Sequence, residues 1–253
     1  MIRYKLITAF DGTNYSGWQI QPNNNTIQAE LQRAFAIALN QKVHVTGCGR
    51  TDAGVHAKAH ASHVTVDEEV DTGKLLYKLA ALLPADIRVL SIELMTMDFH
   101  ARYGAYSKTY HYHLHLSRHL SPFKRHYCHQ VFADVNLDLM QKAAKMFEGE
   151  HDFTSFAHQA SHGCAKYAPV KTIYKSQLIE ADEGVIYEVQ GSGFLHKMVR
   201  NMVGTLIDIG RGKIEFENLA KIMAAKDRRL AGKTAPPQGL FLVEVQYGSI
   251  GAR

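Results

Sequence analysis

A chain of 253 residues with 46% apolar content has material for one large or two ordinary domains, each with its own core. No apolar run approaches the roughly 18 residues of a membrane span, and Met1-Ile2-Arg3-Tyr4 enters a strand pattern with no signal-peptide architecture, so a cytoplasmic protein without a membrane anchor is expected. Lys and Arg number 29 against 24 Asp and Glu, a formal +5 that leans mildly toward a polyanionic partner. Cys48, Cys128 and Cys164 are too widely spaced for a disulfide framework or a zinc ribbon and are expected as reduced thiols.

Tyr4 to Phe10 alternates as a strand and stops at the Asp11-Gly12 turn. A polar stretch, Thr13 to Asn25, reads as a long loop holding Tyr15, Trp18 and Ile20. Asn25 and Gln28 have capping-box spacing, and Ile27, Leu31, Ala34, Phe35 and Ala38 recur on one helical face that ends near Asn40. A short strand at Val43 to Thr46 precedes a glycine-rich loop, and alternation resumes from Ala59 to Val66. Asp71-Thr72-Gly73 opens a second helix, with Leu75, Leu76, Leu79, Leu82 and Leu83 inward and Pro84 as its stop. Ile87 to Met95 returns as a strand.

That order is the split βαβ, or ferredoxin-like, unit. The second half repeats it with decorations: a strand at Tyr106 to Leu116, a helix at Leu137 to Phe147, and strands at Val170 to Ile179 and Val185 to Gln190. A helix at Leu195 to Ile209, an extra one at Phe216 to Lys226 and a last strand at Leu240 to Tyr247 complete it. The expected fold is α+β: two ferredoxin-like halves with mainly antiparallel sheets joined around a central catalytic cleft. The expected domains are 1–103 and 104–253.

The loop between the middle strands of the first half, Gly47-Cys48-Gly49-Arg50-Thr51-Asp52-Ala53-Gly54-Val55-His56, has two readings. Its glycines permit left-handed turns and close backbone approach, while Arg50 and Asp52 suit gripping an anion and acid, base or nucleophilic work. A tight hairpin with a solvated ion pair is the plain alternative. In the second half, Phe194, Met198 and Met202 recur as a core stripe, with Arg200 off the stripe of a largely apolar helix. Such an arginine either snorkels to the surface or pairs with a buried carboxylate.

Tyr110-His111-Tyr112-His113-Leu114-His115-Leu116 alternates, placing three imidazoles on one strand face and Tyr110 and Tyr112 on the other. The Tyr/Leu face is expected toward core or cleft and the His face toward solvent. The outer two of three evenly spaced imidazoles lie about 13 Å apart, too far to share one ion, so no metal site is expected. Arg118 to Arg125 forms a basic loop fit for phosphates or merely solvated, and His151-Asp152-Phe153-Thr154-Ser155-Phe156 reads as a packed loop.

Several segments, in order, resemble the tRNA pseudouridine synthase A family over nearly the whole chain. They are Asp11-Gly12-Thr13 with Gly17-Trp18-Gln19, Gly49-Arg50-Thr51-Asp52-Ala53-Gly54-Val55-His56-Ala57, Lys108-Thr109-Tyr110-His111-Tyr112, His151-Asp152-Phe153, Gly193-Phe194-Leu195 through Met198-Val199-Arg200-Asn201, and Ala235-Pro236-Pro237 with Gly239-Leu240. The resemblance implies isomerisation of uridine to pseudouridine in the anticodon arm of tRNA, without a cofactor and by a homodimer. It further implies that Asp52 is the essential aspartate, that Arg50 helps evert the nucleotide, and that Tyr110 stacks on the uracil and is a candidate to relay the C5 proton. Arg200 would pair with the catalytic carboxylate, Leu240 would wall the uracil pocket and Phe194 would join the substrate site. Rival classes are a non-catalytic RNA-binding protein of ferredoxin-like fold and a metal-dependent hydrolase using the histidines.

Overall fold

The computed structural model describes residues 1–158 and 168–248. Contacts divide the chain into two compact units, Met1–Tyr106 with Phe241–Arg253, and Ser107–Leu240.

In the first unit β1 (Ile2–Phe10), α1 (Ile27–Leu39), β2 (Thr46–Gly47), β3 (His56–Val66), α2 (Thr72–Leu82) and β4 (Ile87–Met95) follow one another. β1 lies antiparallel between β4 and β3, and β2 runs antiparallel to β3 with Thr46 opposite His63. This 4-1-3-2 order is the split βαβ arrangement. Both helices form because one stripe of each can be buried: Ile27, Leu31, Ala34 and Phe35 of α1, and Leu75 and Leu79 of α2. Complete burial of a side chain the size of Phe35 or Leu79 contributes about 1.5–3 kcal/mol.

Gln28 does not cap α1. It is 3% exposed, accepts from Gln19 Nε2 and the Ile20 amide, and donates to Val45 O at 2.8 Å. The N-cap is Thr26, with no side-chain cap bond, whereas Asp71 caps α2 by accepting from the Lys74 amide.

The second unit contains β5 (Ala105–His115, from Ser107 onward), β6 (His129–Gln130), α3 (Leu137–Lys145), β7 (Gly149–Asp152), β8 (Val170–Ala181), β9 (Gly184–Gly191), α4 (Met198–Gly210) and α5 (Asn218–Ala225). β9 lies antiparallel between β5 and β8, with Tyr112 opposite Tyr187, and β7 pairs with β8. Tyr112, Tyr187, Phe147, Phe153 and Phe156 are fully buried. β7 takes His151 and Asp152, the first two residues of the stretch read as a packed loop, while Phe153 to Phe156 form a short turn whose two rings are buried. The strand is a short polar segment, Gly-Glu-His-Asp, with no alternation to announce it. The α4 helix starts later than its apolar pattern, because Lys197 at its N-cap takes a left-handed conformation, φ 61°.

The last strand, β10 (Leu240–Tyr247), was expected to close the second half. From Phe241 onward it belongs with the first unit, parallel to β3, with Phe241 opposite His56. Aromatic contacts hold it there: Phe241 stacks on His56 at 4.6 Å, and the Tyr247 hydroxyl donates to Ala101 O at 2.7 Å. Cys48 and Cys128 are buried, while Cys164 lies outside the described residues. Among the described residues no helix is long and apolar enough to cross a membrane.

Candidate active site

The loop carrying Arg50 and Asp52 leaves β2 and returns as β3, and hydrogen bonds to β3 fix its first two residues. The Cys48 amide donates to Ala61 O at 2.8 Å, and His60 Nε2 donates to Gly49 O at 3.1 Å. At its tip the Val55 amide donates to Asp52 O at 3.2 Å, and Gly54 takes φ +75°.

The bed of this loop is the segment after β1. The Trp18 amide donates to Thr51 O at 3.2 Å, and the Gly54 amide to Tyr15 O at 3.3 Å. Two glycines make that approach possible. A Cβ on Gly12 would come within 2.0 Å of Val55 O, and one on Gly17, at φ +91°, within 2.3 Å of Thr51 O. Tyr15 and Trp18 are buried, and the Tyr15 hydroxyl donates to Asp86 Oδ1 at 2.6 Å. Burial and the Asp86 carboxylate push the Tyr15 phenol well above its ordinary range. It therefore remains a neutral donor.

Backbone contacts thus hold the segment around Asp52, which is a half-buried residue, while Arg50 is exposed. Pre-organised backbone of this kind suits a group that must meet a reacting atom in one orientation.

In the second unit Tyr110, on β5, meets the Phe194 ring edge to face, with centroids 5.0 Å apart and planes at 82°. Arg200 is half-buried in the first turn of α4. Its Nε donates to Ala235 O at 2.8 Å, and the Ala235 amide donates to Arg200 O at 3.0 Å. Leu240 is buried at the start of β10. Just before it, Gly239 lies so close under Tyr112 that a Cβ would meet the ring at 2.8 Å, and the Tyr112 hydroxyl donates to Pro236 O at 2.8 Å. Tyr110 with Phe194, and Arg200 with the 235–240 segment, are therefore local partners within this unit. Arg50 and Asp52 share their loop in the other.

The sequence model of the family described as tRNA pseudouridine synthase matches residues 6–104 and 143–248. The chain belongs to the tRNA pseudouridine synthase family. It is 47% identical to tRNA pseudouridine synthase A 1 of Protochlamydia amoebophila over 245 residues, 96% of either chain. It is 43% identical to tRNA pseudouridine synthase A of an Exiguobacterium species over 99% of this chain and all of the relative. The same figure, 43%, holds for the enzyme of that name from Ruminiclostridium cellulolyticum, over 98% of this chain and all of the relative. Arg50 and Asp52 fall in the first matched segment of this family member, and Phe194, Arg200 and Leu240 in the second. Tyr110 lies between them.

The three-histidine face is not simply solvated. His115 is 4% exposed, with Nε2 donating to His119 O at 3.0 Å, and His111 faces Glu188 at 3.0 Å. Pairing across to β9 and the return of the 119 loop cover what alternation alone assigns to water. Among the described residues no group of three His, Cys, Asp or Glu is arranged to hold a metal ion. In the basic loop Lys124 pairs with Glu183 at 2.6 Å, whereas Phe123 is 88% exposed.

Sequence reasoning missed two things. The role of Gly12 and Gly17 as a bed for the Asp52 loop was open to detection, since paired glycines flanking aromatic residues often mark close backbone approach. The carbonyl of Ala235 as the acceptor for Arg200 had no signal at all.

Proposed function

We propose that this chain isomerises uridine to pseudouridine in the anticodon stem-loop of tRNA, at positions 38, 39 and 40, with Asp52 as the catalytic residue. The observation that carries this reading is the carboxylate on a glycine-cradled loop, Gly12 and Gly17 bearing on Val55 and Thr51, in a chain matched to pseudouridine synthases over nearly its full length.

The reaction is an isomerisation, so atoms balance without a donor. The bond from N1 to C1′ breaks, the uracil turns, C5 bonds to C1′, and the C5 proton is lost as N1 gains one. Asp52 attacks the base at C6 or the sugar at C1′, or removes a sugar proton. Each route needs an ionised carboxylate, and we assign Arg200 as the cation that pairs with it. Extruding a stacked, paired uridine costs a few kcal/mol. Exposed Arg50 is suited to offset this by filling the vacated stack. Tyr110, backed by Phe194, would stack on the extruded uracil and lie ready for the C5 proton, with Leu240 as a pocket wall.

In this reading the unit of Met1–Tyr106 with Phe241–Arg253 carries the carboxylate, and the unit of Ser107–Leu240 carries Tyr110 and Arg200. The enzyme works on tRNA in the cytoplasm as a homodimer. A non-catalytic RNA-binding role would leave the cradled carboxylate without a purpose.

The test is to incubate purified protein with unmodified tRNA transcripts, with no additive, and to map pseudouridine. Conversion confined to positions 38–40 is expected. Binding without conversion would establish the rival role, and sedimentation of the free protein reads the dimer separately.

A further inference from the structure

Residues 231–235 run along α4 in a ladder of contacts. The Gly232 amide donates to Thr205 Oγ1 at 2.9 Å, and a Cβ on Gly204 would meet Lys233 O at 1.6 Å. Thr234 Oγ1 donates to Asn201 Oδ1 at 2.7 Å, and the Ala235 amide to Arg200 O at 3.0 Å. The ladder ends where Arg200 Nε returns a bond to Ala235 O.

Arg228 ties the ladder together. One of its terminal nitrogens, Nη2, reaches both Asn201 Oδ1 at 3.0 Å and Thr234 Oγ1 at 3.1 Å, while Nη1 donates to Ala231 O at 3.1 Å. Asn201 is fully buried and fixed on its other side by donating to Phe156 O at 2.6 Å. The partners of Arg228 in this ladder are neutral oxygens on both strands of it. A guanidinium is the side chain that can bridge several such acceptors in one plane, which an ammonium cannot do.

We propose that Arg228, acting through Asn201 and Thr234, is a positioning residue for Arg200. By fixing residues 234 and 235 it fixes the carbonyl that takes Arg200 Nε, and so the direction in which the two terminal nitrogens of Arg200 point. The inference rests on the reading that Arg200 serves the reaction. A cavity of about 370 Å³ bordered by His158, Arg228, Arg229 and Lys233 offers a competing use for Arg228, as a seat for a backbone phosphate.

The experiment uses full-length Arg228→Ala, Thr234→Val and Thr234→Ser, assayed on unmodified tRNA transcript beside the wild type, with each change repeated on Arg200→Lys. Arg228→Ala and Thr234→Val are expected to lower kcat about 10- to 100-fold with KM changed by less than about twofold. Thr234→Ser, which keeps the hydroxyl, should recover most of the rate lost in Thr234→Val. On the Arg200→Lys background neither Arg228→Ala nor Thr234→Val should cost more than about a further twofold, because the residue through which they act is already altered.

Effects that multiply on that background would overturn the proposal, as would a raised KM with kcat unchanged, the signature of a phosphate seat. Should Arg228→Ala not fold, the Thr234 pair alone decides in the same way. A wild-type protein that converts no uridine would overturn the functional reading instead.

Discussion

The Trp18 indole lies on the His60 imidazole, with ring centroids 3.7 Å apart and planes 21° from parallel. The same indole fills the space beside Gly47, where a Cβ would meet it at 2.6 Å. Because His60 also holds Gly49 O, this stack sets the height of the loop bearing Asp52. Gly47→Ala must push the indole or β2 aside, and overpacking of this kind costs about 1–3 kcal/mol. A lower melting temperature and a lower rate of pseudouridine formation are expected together.

Gly17→Ala tests the loop's bed. A left-handed alanine costs about 1 kcal/mol, and its Cβ would also collide with Thr51 O. The displaced loop should lower kcat by about 100-fold while tRNA affinity, measured by filter binding, changes little.

Asp52→Asn removes the charge and keeps the shape. Pseudouridine formation should fall below detection, with the melting temperature unchanged and tRNA affinity within about threefold. Measurable turnover would remove Asp52 from its assigned role.

Tyr112→Phe leaves Pro236 O without its donor beneath the segment that leads to Leu240. Burial holds the Tyr112 phenol above its ordinary range, so the lost bond is that of a neutral hydroxyl. A stability loss of about 1 kcal/mol is expected in a denaturant titration, at any pH between 6 and 9.

His63 supplies a pH dependence with a definite sign. Its Nδ1 accepts from the Ala101 amide at 3.2 Å, which requires an unprotonated nitrogen. Burial first, and then the charges of Arg3, His100 and His44, push its pKa down from 6.5 to about 4. The unfolded chain therefore binds a proton that the folded chain refuses between those values, and stability falls as pH drops through that window, by up to about 3 kcal/mol. His63→Gln should flatten this part of the melting-temperature profile, read as a difference from the wild type.

The element order of the first unit was legible because its signals are local. The stripe of Ile27, Leu31, Ala34 and Phe35 and the alternation of β1 need no distant partner to be read. Gln28 misled because the same three-residue spacing serves a cap or a buried amide, and only burial chooses. The short strand β7 and the left-handed Lys197 failed for the opposite reason, since nothing in four polar residues or one lysine marks a strand edge or a delayed helix. Among the site residues, Asp52 and Arg50 were legible from glycine spacing. The geometry around Arg200 was not, because its acceptor is a carbonyl 35 positions away and carbonyls leave no trace in side-chain identity.

Stacking of Phe241 on His56 bears on how the protein is made. His56 closes the segment that presents Asp52, yet the ring supporting it leaves the ribosome only after all of Ser107–Leu240. A nascent chain stalled anywhere in the second unit therefore has its carboxylate loop translated and seated on Gly12 and Gly17, but without the ring that stacks on His56.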